Sequence, residues 1–238
     1  MERVIFNGVD LTALYDVTSE RGIATPRVKT EEVPGRDGSI VTDVTYASPT
    51  VRLNIISKQA PQDVRAGMRE LSSLFAVREP RPLQFSGDDG RYYMALPSSL
   101  DWSEFVTSGR LTVEFTVPEV AMYGREVSVT VPSQGSVTFN VGGSHPTALK
   151  STAKVWRDAT THRWGLRLDG GDFVHIDMPN NTNSTITVDC ERRVCTLDGA
   201  TVVPTLNSDW LILEPGVHTL RNDVGRGTIT ATWTERWL

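Results

Sequence analysis

Short runs of Val, Ile, Thr and aromatic residues recur along almost the whole chain, each cut off within a few positions by Gly, Pro, Asn or Asp. β-Branched and aromatic side chains suit a pleated, half-buried surface, and the punctuating residues supply turns. The pattern therefore selects a mainly β fold of many short strands. Residues 4–6 open a strand that Asn7-Gly8 closes. Residues 27–33 are mostly polar and read as a half-exposed or edge strand. The loop after them, Pro34-Gly35-Arg36-Asp37-Gly38, has two glycines able to take positive φ. Residues 50–56 and 109–117 read as longer strands. In the second, Leu111, Val113, Phe115 and Val117 alternate with polar residues, so one face is expected in a core.

One stretch has the helical period instead. Pro61-Gln62-Asp63 suits a first turn, and Val64, Met68, Leu71 and Phe75 then follow on one stripe, with Leu74 beside them. Pro80 and Pro82 stop any continuation. The stripe is expected to pack on a sheet. Near Tyr123-Gly124 the pattern changes, and the rest of the chain holds only short strand-like runs between turn signals such as Asp169-Gly170-Gly171 and Asp198-Gly199. The expected organisation is an N-terminal β domain with one α-helix over residues 1–122 and a β-sandwich over residues 123–238.

Composition narrows the functional classes. The chain has 238 residues, 39% hydrophobic and 22% charged, with a net charge of −5. No run of five like charges occurs, so no broad basic face for nucleic acid is indicated. The first twenty residues lack the apolar core of a signal peptide, and no segment approaches the roughly 18 apolar residues of a spanning helix. No membrane insertion is expected, and the chain reads as made in a cytoplasm.

A search for chemistry finds little. His145, His162, His175 and His218 show no metal-ligand spacing, and no nucleophile elbow or phosphate-binding loop is present. Asp88-Asp89 before Gly90 reads as a solvated turn, since the other ligands of a calcium loop are missing. No catalytic residue, cofactor or metal is assigned, and a hydrolase reading lacks its acid pair or nucleophile. Cys190 and Cys195 flank Glu191-Arg192-Arg193-Val194. A four-residue loop would place them opposite each other, within disulfide reach; a tighter turn would offset them. A reduced pair is expected. Five of the six tryptophans fall after residue 150. Trp156 and Trp164 bracket a polar stretch containing His162, and Trp156, His162 and Trp164 form a candidate recognition loop. Strand alternation would put Arg163 and Arg167 on one face and Trp164 with Leu166 on the other, in the core.

Several segments, in order, resemble the siphophage distal tail protein family. They are Phe6-Asn7-Gly8-Val9-Asp10-Leu11, Val33-Pro34-Gly35-Arg36-Asp37-Gly38-Ser39, the helix with Glu79-Pro80-Arg81-Pro82-Leu83 and Gly90-Arg91-Tyr92-Tyr93-Met94-Ala95, then Leu111 to Pro118 running into Tyr123-Gly124, and the closing Thr232-Trp233-Thr234-Glu235-Arg236-Trp237-Leu238. Residues 117–121, Val-Pro-Glu-Val-Ala, depart from the acidic-Pro-aromatic step more usual there. The resemblance implies a galectin-like C-terminal sandwich and a homo-oligomeric, hexameric ring at the tip of a non-contractile tail. Such a ring joins tail tube to tail-tip and adsorption proteins. DNA passes through its lumen, and the subunit is assembled in the host cytoplasm and carried in the virion tail. Strand 27–33 with Val33, Pro34, Gly35, Arg36, Asp37 and Gly38 is then the candidate subunit interface, because an edge strand offers unpaired backbone groups to a neighbour. The alternative reading is a carbohydrate-binding adhesion module, with a cell-wall glycan as partner of the sandwich.

Overall fold

The alternating runs in the first half of the chain pair antiparallel. The structure, a computed structural model, describes residues 2–58, 64–156, 162–178 and 183–238. Two units are separable, Met1–Tyr123 with Leu238, and Gly124–Trp237. The first unit contains β1 (Val4–Phe6), β2 (Val9–Asp10), β3 (Tyr15–Arg21), β4 (Thr25–Glu32), β5 (Ser39–Ala47), β6 (Thr50–Ser57), α1 (Val64–Phe75), β7 (Arg81–Phe85), β8 (Tyr92–Asp101), α2 (Phe105–Ser108) and β9 (Arg110–Thr116). Seven of these strands make one sheet in the order β3-β6-β9-β8-β7-β1-β2, while β4 and β5 pair only with each other.

The core of this unit follows the period-two pattern. Leu111, Val113 and Phe115 of β9 point inward, as do Val51, Leu53 and Ile55 of β6. Helix α1 buries Leu71 and Phe75, with Met68 and Leu74 packed at the margin. The residues expected to start this helix, 61–63, lie outside those described. Phe6, Phe75 and Phe115 meet with ring centroids 5.2–6.0 Å apart, which ties the helix to β1 and β9. The four-residue α2 was not expected, because one turn is too short to show a period. Gly109, at φ 70°, ends it by donating its N–H to the Phe105 carbonyl.

The second unit is a sandwich. Its strands are β10 (Met122–Val131), which begins at the boundary, β11 (Ser136–Val141), β12 (Thr147–Ala148), β13 (Lys150–Val155), β14 (Arg163–Leu168), β15 (Phe173–Asp177), β16 (Ser184–Asp189), β17 (Val194–Leu197), β18 (Ala200–Val202), β19 (Ile212–Leu213), β20 (Gly216–Val224) and β21 (Gly227–Trp237). One layer runs β18-β17-β16-β13-β21-β10 and the other β11-β20-β14-β15, with β12 and β19 as a short separate pair. Both layers feed one core, including Trp164, Leu166, Ile176 and Leu220 from the second and Ala153, Ile186, Ile229 and Trp233 from the first. Asp198-Gly199 makes the two-residue turn between β17 and β18, both residues at positive φ.

Strand β20 was not legible beforehand. It carries His218, Arg221 and Asp223, yet it lies between two partners in its layer. Two hydrogen bonds hold the buried Asn222: its backbone N–H donates to the Gly135 carbonyl and its side-chain Nδ2 to the Gly227 carbonyl, while its Oδ1 has no partner among the described residues.

The sandwich has its own core and both of its layers, so it should fold alone. Residues 124–237 expressed separately are expected to give dispersed NMR spectra and one cooperative unfolding transition. A disordered fragment would refute this independence.

Candidate assembly surface

Every residue of β4 is exposed, and so is every residue of β5 except the partly covered Ala47. A two-stranded ribbon is marginal by itself, and this one has two free edges. The register explains its chemistry. Pro26 lies opposite Tyr46, Val28 opposite Val44, and Lys29 opposite Asp43; then the register shifts, and Thr30 lies opposite Val41. Thr42 is the extra residue of a β-bulge, and its hydroxyl donates to the Lys29 carbonyl at 3.2 Å. Val41 and Val44 are three positions apart and would otherwise face opposite ways. The bulge puts them on one face with Pro26, Val28, Thr30 and Tyr46. The other face carries Arg27, Lys29, Glu31 and Asp43, with Ile40 opposite Glu31. The result is an amphipathic hairpin whose apolar face is open to solvent, with Val28, Val41, Val44 and Tyr46 all exposed.

At the far end of the hairpin are the six loop residues singled out from sequence, Val33, Pro34, Gly35, Arg36, Asp37 and Gly38, all exposed. The Arg36 N–H donates to the Val33 carbonyl, and Gly35 and Gly38 take φ of 80° and 85°. A Cβ at either glycine would touch nothing, so only the backbone conformation demands glycine there.

Arg21, the last residue of β3, precedes the hairpin. Its guanidinium contacts Asp88 at 2.7 Å and Glu2 at 3.0 Å and lies 4.4 Å from the centre of the Phe85 ring. Glu2 also accepts from the Ser19 hydroxyl at 2.9 Å. Side chains thus join β3 to the start of β1, strands that share no backbone pairing. Asp88 is committed to this ion pair and Asp89 sits at φ 50°, in keeping with a turn.

In the second unit the three candidate recognition residues do not form a platform. Trp164 is fully buried and leaves the set, since a stacking residue must reach solvent. Its indole N–H has no partner, a cost of about 1–3 kcal/mol. Burying an aromatic of 150–250 Å² recovers roughly 4–6 kcal/mol, so the core placement wins. Trp156 is 47% exposed and His162 is exposed, but residues 157–161 between them lie outside those described. Arg163 and Arg167 do share the outer face, as alternation requires.

There the structure assembles a group the sequence did not suggest. Arg167 pairs with Asp223 at 2.9 Å and lies 4.8 Å from the centre of the Phe173 ring; His175 Nε2 is 2.8 Å from the same carboxylate. Arg167 is the first cause holding the Asp223 carboxyl below its usual range, ahead of the opposing effect of burial. The His175 ring lies over Gly165, where a Cβ would come within 2.1 Å of its Cδ2. The common parity of Phe173, His175 and Asp177 on β15 was readable; Asp223 was not, because β20 was not.

A second histidine closes a turn in the same layer. His218 Nδ1 is 2.6 Å from Asp169 and Nε2 is 2.6 Å from the Glu214 carbonyl. Both partners are acceptors, so both ring nitrogens donate only in the imidazolium form. Burial alone would lower the pKa of His218; the bonds to Asp169 and to the Glu214 carbonyl outweigh it and raise the pKa.

Cys195 lies opposite Val188 rather than Cys190: the four-residue loop spans 190–193, so Cys190 belongs to the loop and the two cysteines are offset. Both are free and buried. Burial pushes the Cys190 thiol up to about 12 and the Cys195 thiol to about 11. Among the described residues, no His, Cys, Asp or Glu cluster could hold a metal ion, and no helix is long and apolar enough to cross a membrane.

Comparison with known proteins gives a consistent set of relatives. Residues 10–117 match the phage tail protein RIFT-related domain, and residues 142–237 match the siphovirus-type tail component, C-terminal domain. The distal tail protein of Bacillus phage SPP1 is 27% identical over 255 residues, covering 99% of this chain and 95% of that protein. The crystal structure of SPP1 Dit, described as a paradigm of the hub adsorption apparatus in Gram-positive infecting phages, aligns with a TM-score of 0.80 at 19% identity over 100% of both chains. A chain of the phage P2 baseplate in its activated conformation with Ca aligns at a TM-score of 0.60 and 8% identity, over 99% and 98% of the two chains.

Two outcomes test these networks. Arg21→Ala should lower stability by about 1.5–3 kcal/mol, the range for hydrogen bonds to charged groups, read from the urea midpoint. Arg21→Lys should recover only part, lacking the planar fork. An unchanged midpoint would refute the clamp. For His218, the folded pKa lies above the unfolded value of about 6.5. Its contribution is complete below that pH and is lost as pH rises through the folded pKa. Wild type should therefore lose stability across this window relative to His218→Asn; parallel pH profiles would refute the latch.

Proposed function

We propose, since this chain belongs to the siphophage distal tail protein family, that it is a non-enzymatic subunit of a hexameric ring at the tip of a non-contractile tail. The ring links the tail tube to tip and adsorption proteins and leaves a lumen for DNA in transit. The subunit assembles in the host cytoplasm and resides in the virion tail. The observation that carries this reading is the β4–β5 hairpin, solvated on both faces and, among the described residues, paired with no other strand of its own chain. A neighbour that pairs with its free edges satisfies the backbone groups they expose, and one that covers its apolar face removes that face from water. A contact between unlike patches of successive copies is head-to-tail and closes into a ring when the rotation fits. Residues 33–38 lie at the tip of this element and belong to the same interface.

The C-terminal sandwich is a docking scaffold in this reading, with no galactose or lactose binding. Two observations support it over a glycan-binding module. Trp164 is in the core, and the polar groups beside Phe173 are engaged with one another through Asp223.

Particle imaging of the purified protein and of assembled tails tests the ring. Closed six-fold rings are expected in tails, and light scattering should show whether the free protein already forms them. Two-fold dimers in both settings would overturn the proposal.

A further inference from the structure

The two edges of the layer β11-β20-β14-β15 differ. Beyond β15 the chain covers its own edge. The Thr205 N–H donates to the His175 carbonyl and the Asp209 N–H to the Phe173 carbonyl, each at 2.8 Å, and the Ser208 hydroxyl accepts from the His175 N–H at 3.0 Å. Beyond β11 there is no such cover. Among the described residues, β11 pairs with β20 alone.

The register fixes which backbone groups are left open. The Asn222 N–H donates to the Gly135 carbonyl, so these two residues form a hydrogen-bonded pair. Such pairs alternate with non-bonded ones along an antiparallel ladder. Val137 with Leu220 and Phe139 with His218 are therefore bonded pairs, and the N–H and C=O of Ser136, Thr138 and Asn140 point away from β20. Two further contacts agree with this phase. Thr219, opposite Thr138, turns its N–H to Asp169 Oδ1 and its carbonyl to the Asp169 N–H. The Thr138 and Thr219 hydroxyls are 3.1 Å apart, in keeping with the closer side chains of a non-bonded pair.

Natural sheet edges are blunted by charges, prolines, bulges or short length. β11 is six residues long, Ser-Val-Thr-Phe-Asn-Val, with no charge, no proline and an unbroken register. Its outward residues Ser136, Thr138 and Asn140 are exposed, with Arg221 exposed across from Ser136. On the inner side Val137 is only partly buried. So are Val127 and Val129 of β10, which the turn at 132–135 joins to β11, and all three pack at the margin of the core.

Resting on the docking-scaffold reading above, we propose that an extended segment of a tail-tip or adsorption protein adds to this layer as a fifth strand along β11, bonding Ser136, Thr138 and Asn140. The open groups repeat every two residues, about 6.8 Å, a spacing that an extended chain matches. Its inward side chains are apolar and cover the valine margin; its outward ones are polar. A second copy is not the occupant. Two β11 edges paired with each other make a two-fold contact that leaves no edge for a different protein.

Amide exchange in the full chain, free and in assembled tails, tests this residue by residue. In the free protein Val137 and Phe139 should exchange slowly and Ser136, Thr138 and Asn140 fast. In tails the latter three should slow by about tenfold or more. If they stay fast while other amides of residues 124–237 become protected, the edge is overturned and the docking reading stands. If no amide of 124–237 slows, both fall. Slowing in the purified protein alone, on raising its concentration, would assign the edge to a second copy and overturn the proposal. Thr138→Pro removes an N–H that β20 does not use, whereas Thr138→Val keeps it. Both variants should form rings and unfold at similar temperatures. Tails built with Thr138→Pro should carry several-fold less of the docked protein, and those with Thr138→Val a normal amount. A full complement on Thr138→Pro tails would overturn the added strand.

Discussion

The Arg21 guanidinium is the point on which the N-terminal unit turns. It sits where β3 ends and the chain leaves for the hairpin, and it holds Asp88, sixty-seven residues away, together with Glu2. Its partners are mostly covered: the side chains of Asp88 and Glu2 are 14% and 30% exposed. The pair is therefore shielded enough to exceed the near-zero worth of a surface ion pair, while water still reaches it and limits the desolvation cost. Phe85 beneath the guanidinium connects this polar clamp to the aromatic core. β3, at one edge of the sheet, is thus fixed to the start of β1 and to the turn after β7 by a side chain that cannot lose its charge.

Pre-ordering makes a projecting hairpin useful. A ribbon that contributes nothing to its own core gains stability only through what it later covers, and ordering it in advance lowers the entropy lost on assembly. Here the ordering comes from the backbone pairing of β4 with β5 and from a loop in which Gly35 and Gly38 take the left-handed region. The bulge at Thr42 adds amphipathicity, which strict alternation in residues 39–47 would not have produced.

The C-terminal unit solves a different problem. Its inner faces are filled by large apolar side chains, while the outer face of β14, β15 and β20 carries charges that answer one another across three strands. Gly165 is what lets His175 lie flat across that face and reach Asp223. Groups satisfied in this way stiffen a surface and offer little to a soluble ligand. That character fits a docking scaffold better than a sugar platform.

The sequence by itself determined the fold class, the single long helix, the buried face of residues 109–117 and the separation of Trp164 from Arg163 and Arg167. These depend on periods of two and 3.6 residues and on turn chemistry, which act over a few positions. It also marked residues 33–38 as a glycine-dependent loop. Only the tertiary structure decided which residues meet across long separations: Arg21 with Asp88, Asp223 with His175, and β20 between β11 and β14. Strand β20 escaped notice because its charged and amide residues obscure an alternation that is visible only once Leu220 and Asn222 are seen buried. The amphipathic hairpin escaped for a related reason. A one-residue bulge reverses the parity of everything beyond it, and its position is set by pairing between strands rather than by the order of residues within either one.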